Sequence, residues 1–230
     1  MKYILWDIDG TLLLTNRAGI AALREAIRLR YGKDDFDFTH GMAGRTDSFI
    51  IKQSITDIKG RCTAADAANL AITYNMLLPR FLRERKGHVL PNVVSTLGFL
   101  AQHPDKYTNV LLTGNFSEAA HAKVTHYGLD QFFNYRLSSF GEISEDRNML
   151  AQAALEKLYL VDNTINPATD VIVIGDTPHD IACAAAIKAR CLAILSGSFY
   201  DAAELEAAHP YAVLPELPAK PAEFVKYLEE

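Results

Sequence analysis

The sequence predicts a doubly wound α/β fold carrying a block of helices after its first strand, on three observations. The apolar run Tyr3-Ile4-Leu5-Trp6 reads as a buried strand, and it ends in Asp7-Ile8-Asp9-Gly10-Thr11. Nothing between Asn16 and Lys86 has strand character. From Pro91 onward short apolar runs alternate with helical segments, the pattern of a parallel sheet with crossover helices.

Each element follows from its residues. After Thr11 the spacing turns helical, with Ile20, Leu23, Ile27 and Tyr31 on one face and Gly32 as a stop. A second helix begins near Thr46 and carries Phe49, Ile50 and Ile55. A third starts with Thr63 as N-cap and Asp66 in its first turn, shows Leu70, Tyr74, Leu77 and Phe81, and ends by Gly87, with a kink expected at Pro79. The later strands are expected at 109–112, 135–138, 170–174, 191–195 and 211–213, with helices near Asn92, Phe116, Arg147, Pro178, Asp201 and Lys220. There is no internal repeat and no low-complexity segment.

The 230-residue length suits one sizeable core with a small inserted domain. Apolar residues make up 49% and charged residues 22%, which sets aside disordered, collagen-like and coiled-coil classes. A formal net charge of −5 argues against a general nucleic-acid binder and favours small diffusible partners. The apolar N-terminal stretch is short, is interrupted by Asp7 and lacks a small-residue cleavage site, so no signal peptide is expected. No segment is long enough to span a bilayer. Cys62, Cys183 and Cys191 form no C-x-x-C pair, so a zinc site or disulfide framework is not expected and a reducing cytoplasm fits.

Three apolar strands end in polar clusters: Asp7-Ile8-Asp9-Gly10-Thr11, Thr113-Gly114-Asn115 and Gly175-Asp176-Thr177-Pro178-His179-Asp180. A carboxylate at the end of a buried strand is costly unless it is paired or bound to a metal. Ligands of open α/β sheets gather outside the carboxyl ends of the strands, where these clusters converge. Four carboxylates with hydroxyls and glycines suit a hard cation and a phosphoryl group, and Mg²⁺ takes a few carboxylates, substrate phosphate and water. The pattern therefore points to metal-assisted phosphoryl transfer.

The first cluster resembles the first motif of the haloacid dehalogenase-like superfamily, and Gly175-Asp176-Thr177-Pro178-His179-Asp180 resembles its last acidic motif. Thr113-Gly114-Asn115, following Val110-Leu111-Leu112, is similar to the second motif, and the resemblance covers essentially the whole chain. It implies a Rossmann-like parallel sheet core with an inserted α-helical cap domain: core residues 1–15 and 88–230, cap residues 16–87.

Position by position, the resemblance implies that Asp7 is the nucleophile that becomes an aspartyl phosphate. It makes Asp9 the acid for the leaving alcohol and then the base for water, with its backbone carbonyl on Mg²⁺. Asp176 would ligate the metal directly, and Asp180 would ligate it or orient one of its waters. Thr113 would donate its hydroxyl to the phosphoryl oxygens, helped by the amides of Gly114 and Asn115. The third motif usually carries lysine, whereas here the cation heading the next helix is Arg147, which would clamp phosphoryl oxygens through a planar fork. Lys157 is the fallback, well inside that helix.

Beside these stand residues with weaker signals. In Gly41-Met42-Ala43-Gly44-Arg45-Thr46, similar to a cap loop facing the active site, Arg45 either reaches an anionic substrate or is a surface arginine beside a turn. His179 is read as a loop residue without a catalytic part, and the other histidines show no metal spacing.

The function expected is a Mg²⁺-dependent phosphomonoesterase acting on a small phosphorylated metabolite, with no nucleic-acid or membrane partner. The alternative is a phosphomutase similar to β-phosphoglucomutase, which keeps Asp7 and Asp9 and prefers a sugar hydroxyl to water. A haloacid dehalogenase would not need Asp9, and a phosphonate-cleaving relative would need a Schiff-base lysine, for which Lys52 is the candidate. A phospho-acceptor signalling module would lack both the helical insertion and the Asp9-Gly10-Thr11 turn.

Overall fold

A computed structural model describes residues 1–229. In chain order the elements are β1 (Lys2–Trp6), β2 (Leu13–Leu14), α1 (Ala18–Tyr31), α2 (Asp47–Lys59), α3 (Ala64–Glu84), β3 (His88–Val89), α4 (Val93–Ala101), β4 (Tyr107–Leu111) and α5 (Ser117–His126). They continue as α6 (Arg147–Val161), α7 (Pro167–Asp170), β5 (Val171–Gly175), α8 (Pro178–Ala186), β6 (Arg190–Ile194), α9 (Ala202–Glu206), β7 (Ala212–Leu214) and α10 (Pro221–Glu229).

The apolar run of β1 lies in the middle of a five-stranded parallel sheet of order β4-β1-β5-β6-β7. A strand covered on both faces needs apolar side chains at every position, which is why β1 shows no alternation. Ile4 and Trp6 face the layer of α4, α5 and α10, where Trp6 stacks on Phe224, while Tyr3 and Leu5 face α6, α8 and α9. Strand connections leave β1 toward β4 and leave β5 toward β6, in opposite directions along the sheet. The crevice between the carboxyl ends of β1 and β5 is therefore the topological switch point, and Asp7 and Asp176 are the residues that follow those ends.

The helices before β3 form as the sequence predicts. Gly32 adopts φ 65° at the end of α1, the Thr46 hydroxyl accepts from the Phe49 amide at the start of α2, and Thr63 and Asp66 exchange hydrogen bonds at the start of α3. Leu70, Tyr74, Leu78 and Leu82 make the buried stripe of α3 at a spacing of four, packed on Ala22, Leu23, Ala26 and Ile27 of α1. Pro79 sits inside α3 without ending it, because the apolar stripe on both sides of it stays buried.

Besides the one-turn helix α7, two features depart from the sequence expectation. Segment 135–138 is not a strand: Ser138 N–H donates to the Tyr135 carbonyl and the Ser138 hydroxyl to the Asn134 carbonyl, so its backbone is satisfied in turns, with a single bridge between Leu112 and Ser139. The second is the antiparallel pair β2 and β3, with Leu13 opposite Val89 and Leu14 opposite His88. This two-residue ribbon brackets the helical insertion where the chain leaves the sheet layer and returns to it. Two-residue strands carry too little pattern to be read in advance. The other strands shift from the expected bounds by one or two residues. Among the described residues no helix is long and apolar enough to cross a membrane.

Candidate active site

The Asp7 amide donates to the Ile174 carbonyl, so the ladder between β1 and β5 continues one residue past β1 and holds the Asp7 carboxylate over the crevice. The chain then turns sharply, with amides of Leu12 and Leu13 donating to the Ile8 carbonyl and Gly10 at φ 88°. A Cβ at Gly10 would overlap the Asp176 carboxylate, so only glycine lets the β1 and β5 loops approach this closely. Thr11 ties them together, its hydroxyl donating to Asp176 Oδ1 at 3.2 Å.

Ligand atoms of Asp7, Asp176 and Asp180 all lie within 4.8 Å of one another, and all three residues are buried. Arg147 is the cation among them: Nη2 is 3.1 Å from Asp7 Oδ1 and 2.5 Å from Asp180 Oδ1. One guanidinium thus stands among three buried carboxylates and pairs directly with two of them. Burial pushes the Asp7 carboxyl up to about 6, opposed by Arg147 and reinforced by Asp180 and Asp9. Burial, then Asp180 and Asp7, raise Asp176 well above the carboxylate range. For Arg147 burial acts downward, yet Asp180 and Asp7 together carry it above its ordinary value.

These residues fit a hard divalent cation, because positive charge is what the cluster lacks. Asp176 Oδ2 has no hydrogen bond among the described residues, and its Oδ1 accepts only from Thr11. Asp180 is differently placed: Oδ1 accepts from Arg147, and Oδ2 accepts from the amides of Asp176 and Thr177 and the Thr177 hydroxyl.

The loop after β4 supplies the other wall. Thr113 is fully buried, its hydroxyl accepting from the Asn115 amide at 3.3 Å, and Asn115 Nδ2 donates to Asp9 Oδ2 at 3.0 Å. Beyond the carboxylates opens a cavity of about 550 Å³, lined on the sheet side by Asp7, Asp9 and Asn115 and on the helical side by Arg45, Asp47 and Tyr74. The helical layer touches the site directly: the Gly44 carbonyl accepts from Arg147 Nη1 at 3.2 Å, and the Asp47 amide donates to the Gly114 carbonyl at 2.7 Å. Asp47 Oδ2 in turn accepts from the Phe116 amide at 2.9 Å, and burial carries the Asp47 carboxyl up to about 6 against the opposing charge of Lys123.

With this geometry in place, the comparison that decides the family is the match of residues 1–188 to the model of haloacid dehalogenase-like hydrolases. The chain belongs to this family. Among solved structures, this haloacid dehalogenase-like hydrolase is similar to a hydrolase from Pseudomonas syringae, at 23% identity and TM-score 0.70 over 100% of this chain and 99% of that one. A structure described as a phosphatase from Clostridium acetobutylicum aligns at 16% identity and TM-score 0.69 over 98% of each chain. One described as a β-phosphoglucomutase from Thermotoga maritima aligns at 17% identity and TM-score 0.63 over 99% of this chain and 100% of that one. No curated protein matches the sequence of this hydrolase.

Most residues singled out from the sequence meet at this crevice. Asp7, Asp9, Gly114, Asn115, Arg147 and Asp176 line the cavity, while Thr113 and Asp180 are buried behind that surface. Arg45 reaches the cavity rim, its guanidinium 4.8 Å from the centre of the Phe49 ring. Lys157 points away, donating to the Ser138 carbonyl, and Lys52 pairs with Glu145 at 2.7 Å outside the cavity. His179 stands against Gly44, and burial, then Arg45 and Arg147, hold its imidazole below the usual range.

Sequence reasoning missed Lys123 and Asp47. Lys123 is buried on the stripe of α5 formed with Ala119, Ala120 and Val124, and its ammonium reaches Asp9 Oδ2 at 2.5 Å. The available signal was a lysine on the apolar face of a short helix directly after a site loop. Asp47 offered only the look of an acidic first-turn residue.

Proposed function

We propose that the chain is a Mg²⁺-dependent phosphomonoesterase of small phosphorylated metabolites, with residues 16–87 acting as a cap over a core of residues 1–15 and 88–230. The observation that carries this reading is the buried Asp7 carboxylate, held at the switch point 3.1 Å from Arg147 beside Asp176 and Asp180. A lone buried carboxylate would be a liability for folding, and a phosphoryl group with its cation gives the cluster a use.

Asp7 supplies the attacking carboxylate oxygen, and its bond to phosphorus forms as the ester P–O bond breaks. The leaving alkoxide takes a proton from Asp9. Water then attacks the aspartyl phosphate while Asp9 takes its proton, which restores the Asp7 carboxylate and releases phosphate. Arg147 and the amide of Gly114 stabilise charge on the phosphoryl oxygens, and Thr113, whose hydroxyl accepts from the Asn115 amide, orients this loop from behind. Asp7, Asp176 and the Asp9 backbone carbonyl would hold Mg²⁺, which when bound supplies the missing positive charge. Asp180, whose oxygens are already engaged, orients this set. The cap loop at Gly44 and Arg45 excludes bulk water and meets the leaving group.

The three cysteines are free, which suits an enzyme of a reducing cytoplasm. Phosphate release from a metabolite panel by wild-type protein with Mg²⁺, absent for Asp7→Asn, is the test. No release from any member by folded, Mg²⁺-supplied protein overturns the reading. Isomerisation of a hexose 1-phosphate without net phosphate release makes the acceptor a sugar hydroxyl and the enzyme a phosphomutase.

A further inference from the structure

Lys123 is a second buried cation at the site, and the phosphoryl-transfer scheme above does not use it. Its side chain is 5% exposed, a costly place for an ammonium unless it is tied to a partner. The partner is Asp9, at 2.5 Å to Oδ2. Asn115 Nδ2 donates to that same oxygen at 3.0 Å. Both donors come from the segment that follows β4, one from the loop and one from α5. Two donors converging on one oxygen fix the plane of the carboxylate, while Oδ1 has no hydrogen bond among the described residues and the side chain stays 40% exposed on the cavity. On its other side the ammonium faces α1 at Gly19, whose Cβ position lies in ordinary van der Waals contact, 3.9 Å from Lys123 Nζ.

We propose that Lys123 is a positioning residue, which with Asn115 clamps Asp9 Oδ2 so that Oδ1 is presented to the oxygen of the leaving group. The proposal rests on the phosphomonoesterase reading and deepens it. The clamp would couple phosphate seating to acid placement, since the loop that holds the phosphoryl oxygens supplies one donor, Asn115, and runs directly into α5, which supplies the other. Lys123 itself stays paired within the protein and does not reach the phosphoryl group.

Leaving-group dependence tests it. An aryl ester such as p-nitrophenyl phosphate expels a stable phenolate and needs no proton, whereas an alkyl phosphate needs the acid. In single-turnover measurements, Lys123→Met is expected to form product from the aryl ester within about threefold of wild type. From an alkyl phosphate it should be slowed roughly 10- to 100-fold, within the range that general acid catalysis supplies. Lys123→Arg, which keeps a cation in reach of Asp9, should recover much of the alkyl rate. A crystal structure of Lys123→Met should show the Asp9 carboxylate rotated away from its present contact with Asn115.

Equal losses on both esters, an alkyl-to-aryl ratio that does not fall, or a raised KM with unchanged kcat would each overturn the proposal, the last making Lys123 a substrate-binding cation. An unmoved Asp9 in the crystal structure overturns it independently of any activity. Should Lys123→Met not fold, Lys123→Gln carries the same comparisons. Wild-type protein inert toward both esters fails the phosphomonoesterase reading, whereas active wild type with an indiscriminate variant fails only the clamp.

Discussion

Arg147 Nη2 lies 3.1 Å from Asp7 Oδ1, and the same nitrogen lies 2.5 Å from Asp180 Oδ1. One guanidinium at the head of α6 thereby joins the end of β1 to the first turn of α8. Replacing it leaves buried carboxylates without compensation. Arg147→Ala is expected to destabilise the metal-free protein by about 3–5 kcal/mol, the usual consequence of breaking a buried ion pair by removing one partner. Urea unfolding of the variant and the wild type in EDTA measures this. Arg147→Lys should keep the charge, lose the planar fork and retain fold with reduced kcat.

Asp7→Asn should abolish turnover and, without metal, stabilise the protein. The sign follows from the pKa. Asp7 is raised to about 6 in the folded chain, so between about pH 4 and pH 6 the folded state holds a proton that the unfolded state has given up, and the stability fully present at lower pH is lost across that window. The stability difference in favour of Asp7→Asn should therefore grow between pH 4 and pH 7, to on the order of 2 kcal/mol. Thermal or urea unfolding of both proteins across that range, in EDTA, gives the comparison; a difference independent of pH would count against an ionised, unfavourably buried Asp7.

Mg²⁺ binding should release protons. Asp7 and Asp176 are both raised above the carboxylate range in the metal-free chain, and a ligating carboxylate must be ionised. Apparent affinity is expected to fall about tenfold per pH unit below pH 6 for each proton displaced. Calorimetric titration in buffers of different ionisation enthalpy counts those protons. Removing the metal should end turnover while leaving the sheet folded.

Gly44 adopts φ 69°, and a Cβ there would lie 2.6 Å from His179 Cδ2 and 2.7 Å from Thr177 Oγ1. Its carbonyl also accepts from Arg147. Gly44→Ala should therefore lift the loop off the β5 loop and weaken the seating of the helical block beside the site, raising KM and lowering kcat together, at about 1–2 kcal/mol of backbone strain. Steady-state kinetics on the best substrate of the panel would register the change, and an unaltered KM and kcat would show that the loop seats independently of this contact.

Gly10→Ala should be more severe, because its Cβ would enter the space of the Asp176 carboxylate at φ 88°. Loss of Mg²⁺ affinity, measured by calorimetry, is expected alongside loss of turnover.

Sequence by itself determined what local chemistry encodes. The buried strand β1 ending in Asp7 and Asp9, the glycine turn at Gly10, the helix start near Thr46, the N-cap Thr63, the stop at Gly32 and the acidic pair Asp176 and Asp180 were all legible, because each depends on neighbours a few residues away. Segment 135–138 shows the limit of such a window: Tyr135 and Leu137 are visible in it, but that the Asn134 and Tyr135 carbonyls take up the Ser138 donors is not. Tertiary structure alone decided the rest. Only folding brings Lys123 onto Asp9 across 114 residues, sets Asp47 against the loop of Gly114 and Phe116, and gives Arg147 two carboxylates, one from the end of β1 and one from the start of α8. A buried charge is stable only beside its partner, and for these residues the partner lies on another element, so no window of sequence contains the reason for the residue.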